Sequence, residues 1–185
     1  SLLPALSASA SVGGLKAPGT LSVERTGAGL TERVVQLVGL LTVLSLAPSI
    51  VIMTTSFVRI VVVLSLLRTA IGLQQSPPNA VIVSLALFLT AFIMAPTFEK
   101  SYNDGMVPLM NEEISEQEAV RKMAQPFHTF MLAHVREKDL ALFIEMSREP
   151  RPQRPEDIQI QVLVPAFMIS ELRRAFDDGW ISVEP

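Results

Sequence analysis

Cysteine is absent from the 185 residues, which excludes disulfides, thiolate metal sites and cysteine nucleophiles. Charge is scarce at 18% of residues, and neither sign dominates: the net charge is −3 and the sequence pI about 5.4. A basic footprint for nucleic acid is therefore missing. No glycine-rich phosphate loop occurs. There are two histidines, His128 and His134, six apart and so about 120° from each other on a helix, unlike the i,i+4 pair of a zinc helix. The Ser and Thr residues of the apolar segments have no histidine near them in sequence, which removes the simplest serine-nucleophile arrangement. Nothing in this inventory supports covalent chemistry, a cofactor or a metal.

What the chain has instead is segregated apolarity. Hydrophobic residues make up 49% and mean hydropathy is +0.41. Between Arg33 and Phe98 there is no Asp or Glu, and only Arg59 and Arg68 carry charge. The stretch Met53–Phe98 reads as two apolar runs joined by a polar tip at 72–79. Paired prolines there remove donors and force the preceding residue to be extended. The expectation is a membrane-type helical hairpin over 34–98. Val34–Val58 is uncharged and long enough to cross a bilayer, which needs about 20 residues, with a kink or break at Pro48. A central arginine costs roughly 2.5–3.5 kcal/mol on insertion scales, and each Ile, Val or Leu returns about 0.3–0.6. Arg59 is affordable but still needs acceptors: carbonyls, water, or a carboxylate from a distant segment or another subunit. Glu171, inside a later apolar stretch, is the candidate carboxylate; snorkelling to an interface is the alternative. In the second arm, 80–98, Ala80, Ser84, Leu87, Ala91 and Ala95 recur at helical steps. This stripe predicts close helix contact, within the hairpin or between copies.

Outside the hairpin, residues 1–10 (SLLPALSASA) resemble a signal-peptide remnant with an A-x-A site. Residues 11–33, rich in Gly, Ser and Thr, predict a flexible linker. Charge returns at Glu99, and 99–157 predicts a water-exposed helical domain. Ser115 and Glu118 form a capping box that starts a helix to about Gln125. Pro126 fits the first turn of the next helix, on which Phe127, Phe130, Met131 and His134 share a face. The acids at 112, 113, 116 and 118 complement a helix start. Leu140, Leu142, Phe143 and Met146 extend a further apolar face, and EPRPQRP (149–155) is a proline-rich loop. The alternation of Ile158, Ile160 and Val162 suggests a short extended segment. Pro165 then opens a helix to Phe176, and 177–185 is a polar tail. The fold class expected is mainly α: the membrane-type helical hairpin, a small water-exposed helical domain and the start of a further helix.

Three segments together resemble a known family: LAPSIVIMTTSFVRIVVVLSLLRTAIGLQQSPPNAVIVSLALFLTAFIMAPTFEK, QPFHTFMLAHVREKDLALF and LVPAFMISELRRAF. They are similar to FliP, the flagellar biosynthetic protein of the type III export gate, whose virulence-secretion counterpart is SctR. The TSFVRI, QSPPN, ALFLT and PAFMISEL elements carry the likeness, and FMLAHVREKDLALF favours the flagellar branch. The resemblance implies a subunit that assembles in several copies with FliQ-like and FliR-like subunits and other export-apparatus membrane proteins. The assembly is a helical channel for unfolded export substrates. It implies a bacterial inner-membrane location in the flagellar basal body, with 99–157 extracytoplasmic. It makes Thr55, Ser56, Arg59 and Arg68 subunit-packing and hydrogen-bonding positions, and Gln75, Pro77, Pro78 and Asn79 the hairpin tip. After ELRRAF the family continues through two more apolar helices and a Met-rich constriction loop. Here the chain turns to DDGWISVEP, whose Asp178-Gly179-Trp180 resembles the D-G-W near the family's end. That leaves two readings: an internal stretch absent, or a truncated product. The rival functional classes are a small-molecule transporter subunit, which shares a broken helix and a buried arginine, and a membrane enzyme, which needs a polar cluster the sequence does not offer.

Overall fold

The computed structural model describes residues 18–73 and 76–181, with backbone alone at 18–28 and 180–181. The signal-peptide expectation for 1–10 lies outside the described residues, as do 11–17 of the expected linker, Gln75 of the tip and 182–185 of the tail. No strand occurs among the described residues. The chain divides into two compact units, the first ending at Leu46 and the second running from Ala47.

Helix α1 (Pro18–Thr54) supplies all that is described of the first unit. It corrects the linker expectation, because residues 18–33 are helical. Pro18 sits where its missing N–H costs nothing. The Gly, Ser and Thr that follow lower helix propensity by only up to about 1 kcal/mol each. Extending an established apolar helix outward also needs no new nucleus. From Leu30 to Leu46 the large apolar side chains are exposed. Gly29–Thr54 is 26 residues with an 18-residue stretch of mean hydropathy 2.2, long and apolar enough to cross a membrane.

Pro48 lies inside α1 and does not end it. One lost donor is cheaper than a helix end in an apolar segment, where whole turns of backbone groups would need partners. The interruption comes instead at Thr55–Ser56, before α2 (Phe57–Ala70). Hydroxyls compete with the backbone at that point. Thr54 Oγ1 donates to the Ile50 carbonyl at 2.9 Å, and the Phe57 N–H turns to Thr55 Oγ1 at 3.4 Å.

Helix α2 ends in a Schellman motif. The Gly72 N–H reaches the Thr69 carbonyl at 3.0 Å and the Leu73 N–H the Arg68 carbonyl at 3.2 Å. Gly72 takes the left-handed φ of +80° that this requires. Pro78, extended, then caps α3 (Asn79–Ser101), which returns against α2 as the expected hairpin arm. A π-helical turn (Tyr102–Met106) and the short α4 (Val107–Met110) prolong it. Asn79–Met110 is the second segment long and apolar enough to span a membrane, 32 residues with an 18-residue stretch of mean hydropathy 2.3.

Helix α5 (Glu116–His134) begins at the expected cap, with the Glu118 N–H donating to Ser115 Oγ at 3.3 Å. Glu118 itself lies by Lys122, 3.4 Å away. Pro126 does not start a new helix as expected, but lies buried within α5. A proline inside a helix costs about 3 kcal/mol, and here packing outweighs it. Phe127 meets Phe98 of α3 edge-on at 5.5 Å. Helix α6 (Glu137–Ser147) follows, ending at Arg148 with a left-handed φ of 56°.

Helix α7 (Ile160–Ile181) packs against α2, α5 and α6. It overturns the extended segment expected at 158–162. Ile158 is extended and buried, but Ile160 and Val162 are already helical. Three alternating residues were too few to outweigh the 3.6-residue spacing of Leu163, Ala166, Phe167, Ser170 and Glu171, all buried. Pro165 falls inside this helix, and Asp177–Ile181 of the expected tail belongs to it. Ala175 and Gly179 continue the buried line, and Gly179 lies against Leu66 of α2. Met131, Ile158, Leu163 and Phe167 form the core, with Phe130 edge-on to Phe167 at 5.9 Å.

Candidate functional site

The buried carboxylates among the described residues, Glu171 and Asp139, lie on or against α7. Arg59, one turn into α2, projects towards it from a helix with no acid of its own. Its Nε donates to Glu171 Oε2 and its terminal nitrogen to Oε1, both at 2.9 Å. This two-point fork holds the carboxylate in plane and sets helix register as well as charge balance. Glu171 is 0% exposed, whereas the Arg59 side chain retains 28% of its surface. Of the acceptors left open by the sequence, the carboxylate of the distant segment is the one present, and it comes from the same chain.

Beside Arg59, at the α1–α2 break, Thr54, Thr55 and Ser56 are buried. The threonines turn their hydroxyls back to α1, Thr54 to the Ile50 and Val51 carbonyls and Thr55, just past the helix, to that of Ile52. Ser56 Oγ is buried without a hydrogen-bond partner. Arg68, at the far end of α2, turns to the hairpin tip and donates to the Pro77 carbonyl and to Asn79 Oδ1. The tip is therefore tied by its own arm, with Pro77 half-buried and Pro78 and Asn79 exposed.

The small-residue stripe has a different address. Ala80, Ser84, Leu87, Ala91 and Ala95 are all exposed. The face α3 gives to the chain's own helices is Ile82, Ala86, Thr90 and Met94, again at steps of four. Contact within the hairpin therefore does not use the predicted stripe.

A second buried network was missed by sequence reasoning. Ser170 Oγ accepts the Arg136 N–H at 3.0 Å and lies 2.9 Å from Asp139 Oδ2 and from the Ala166 carbonyl. Its single proton serves one of those two acceptors at a time. Asp139 is 3% exposed and also faces Arg173, 3.4 Å away. Arg136 reaches Asp177 at 2.6 Å. The signal that was available was Ser170 itself, a polar neighbour of Glu171 in an apolar stretch.

The histidines work as structural donors or acceptors. His128, buried, places Nε2 2.7 Å from the Ile158 carbonyl, and His134 places Nδ1 2.8 Å from the Phe130 carbonyl. Among the described residues no three His, Asp or Glu side chains gather closely enough to hold a metal ion. Open clefts line the proline-rich loop, the larger of about 370 Å³ between Ile144, Pro150, Pro152, Ile158 and Val162. The arrangement fixes helices against one another.

Comparison with known proteins agrees with the motifs. A model described as the FliP family matches residues 40–183. Over 160 residues the chain is 62% identical to the flagellar biosynthetic protein FliP of Caulobacter vibrioides, covering 86% of this chain and 60% of that protein. It is 47% identical over 154 residues to the protein of the same name from Agrobacterium fabrum, covering 82% and 63%. With that of Bacillus subtilis the identity is 48% over 151 residues, covering 82% and 68%. The chain thus spans roughly three fifths of the length of the first two relatives. On this match, which runs from the end of α1 through α7, the chain belongs to the FliP family.

Proposed function

We propose that this chain is a structural subunit of the flagellar type III protein export gate, forming with sister copies and FliQ-like and FliR-like subunits a helical channel for unfolded substrates. The observation that carries this reading is the family match, 62% identity to a protein named for flagellar biosynthesis. The geometry supports a subunit's role over a carrier's or an enzyme's. Its two buried carboxylates among the described residues are held in pairs between helices, Glu171 with Arg59 and Asp139 with Arg173. Its largest apolar faces, on α1 and α3, are uncovered in the single chain. Contiguous exposed apolar surface marks contact with lipid or protein.

On this reading the protein belongs in the bacterial inner membrane at the flagellar basal body, with 99–157 on the extracytoplasmic side, and the two long apolar segments support a membrane setting. Two measurements test it together. Deletion in the host is expected to abolish motility with growth intact, and purification with the two partner subunits is expected to yield a stable multi-copy ring. A monomer or dimer that binds a small solute, with motility unaffected, overturns the proposal in favour of a carrier. Loss of virulence secretion with motility retained assigns it to the SctR-like branch.

A further inference from the structure

Ser170 and Glu171 are consecutive on α7 and both 0% exposed, yet they bind different parts of the fold. Adjacent helical residues point about 100° apart. Glu171 therefore reaches Arg59 on the hairpin arm, while Ser170 reaches the α5–α6 corner through the Arg136 N–H and Asp139. We infer that this dipeptide is a two-sided latch, coupling the position of the apolar hairpin to the start of α6 through a rigid rotation of α7.

Three features make the coupling mechanical rather than incidental. First, both contacts are directional. The fork to Glu171 tolerates little rotation of α7, and Ser170 has to remain within reach of a backbone N–H and a carboxylate at once. Second, each side is reinforced further along the same helix. Gly179 sits against Leu66, where an added Cβ would crowd the Leu66 side chain. Arg136 and Arg173 pair with Asp177 and Asp139 on the other side. Third, α7 is held along its length by buried side chains, Leu163, Ala166, Phe167 and Ala175, each 0–1% exposed. Close-packed interiors transmit a displacement instead of absorbing it. A shift of α2 that turns Glu171 thus also turns Ser170 away from Arg136. This inference concerns the fold of the chain itself and stands apart from the export reading.

The Arg136 N–H is a natural reporter, because its partner is a side chain on another helix and not a carbonyl of its own. The experiment is amide hydrogen exchange on the full chain in detergent, followed separately in α2 (57–70) and at the α6 start (136–140). Glu171→Gln, which breaks only the hairpin side, is expected to speed exchange at the α6 start about fivefold or more. Ser170→Ala, which breaks only the corner side, is expected to speed exchange in α2 in turn, since coupling is reciprocal. The double variant is expected to exchange no faster than the faster single one. Changes confined to α2 in Glu171→Gln and to α6 in Ser170→Ala overturn the latch, as do rates that simply multiply in the double variant. Should Glu171→Gln lose protection throughout α3 and α5 as well, Arg59→Lys keeps the charge and removes the fork, and is judged by the same two regions.

Discussion

Replacing Arg59 by Met strands a carboxylate that has nowhere else to go, since Glu171 is 0% exposed. Replacing Glu171 by Gln leaves a guanidinium that retains 28% of its side-chain surface and reaches solvent or another acceptor. The two halves of one pair are therefore unequal. Removing one partner of a buried pair costs about 3–5 kcal/mol, the value expected for Arg59→Met. For Glu171→Gln, where an amide still accepts one bond, about 1–2 kcal/mol is expected. The double variant Arg59→Met with Glu171→Met is expected to recover most of the loss, because apolar replacements of similar volume remove both desolvation penalties together. Denaturant unfolding of the four proteins in one detergent checks the order. Equal losses in the two single variants, or no recovery in the double, contradict the account. Arg59 was legible as a cation needing a partner because its surroundings hold no acid. That the partner is Glu171, one hundred and twelve positions away, was open in the sequence and is settled by how α7 packs on α2.

Elements were readable where local chemistry decides and misread where packing does. The Schellman end of α2 at Gly72 and the cap at Ser115 follow from bonds made within a few residues, so the sequence announces them. Pro48 was expected to kink or break a helix, and α1 runs through it. Pro126 and Pro165 were expected to start helices, and both sit inside them. One missing N–H is a local cost of about 3 kcal/mol, which tertiary contacts outbid and no local rule foresees. The π-helical turn at Tyr102–Met106 belongs to the same class. It brings Gly105 so close to α5 that an added Cβ would lie 3.0 Å from the Ala119 carbonyl oxygen and 3.0 Å from the Met123 backbone nitrogen. Backbone cannot yield as a side-chain end does. Gly105→Ala is therefore expected to destabilise by about 2 kcal/mol. Gly39→Ala in α1, with nothing within 4 Å, is expected to gain up to about 1 kcal/mol from helix propensity. Thermal unfolding of both variants reads the opposite signs, and a neutral Gly105→Ala removes the case for close approach at the turn.

At the scale of the whole molecule, α3 shows why the sequence named a stripe but not its purpose. The helix is apolar almost all round, so two lines at helical steps of three or four, Ala80–Ser84–Leu87–Ala91–Ala95 and Ile82–Ala86–Thr90–Met94, satisfied the same periodicity. Only the fold distinguishes them: the second is buried by the chain and the first is left facing out. Small side chains gain nothing by facing lipid, where Leu does as well, but they let another helix backbone approach closely. The exposed stripe therefore argues for a sister copy or a partner subunit on that face. Ala91→Leu separates this from a lipid-facing role, because it changes nothing the single chain buries. If the face is lipid-exposed, the variant assembles as the parent does. If a helix docks there, the added bulk is expected to lose most of the multi-copy complex on size-exclusion chromatography in detergent. The monomer's thermal midpoint should stay within about 2 °C of the parent's, in line with surface substitutions that shift stability by less than ~0.5 kcal/mol. Ala86→Leu, on the buried line, supplies the contrast: overpacking between α3 and its own neighbours is expected to lower the midpoint before any assembly is scored. An unchanged complex with Ala91→Leu, beside a destabilised Ala86→Leu, would place lipid and not protein on the outer face of α3.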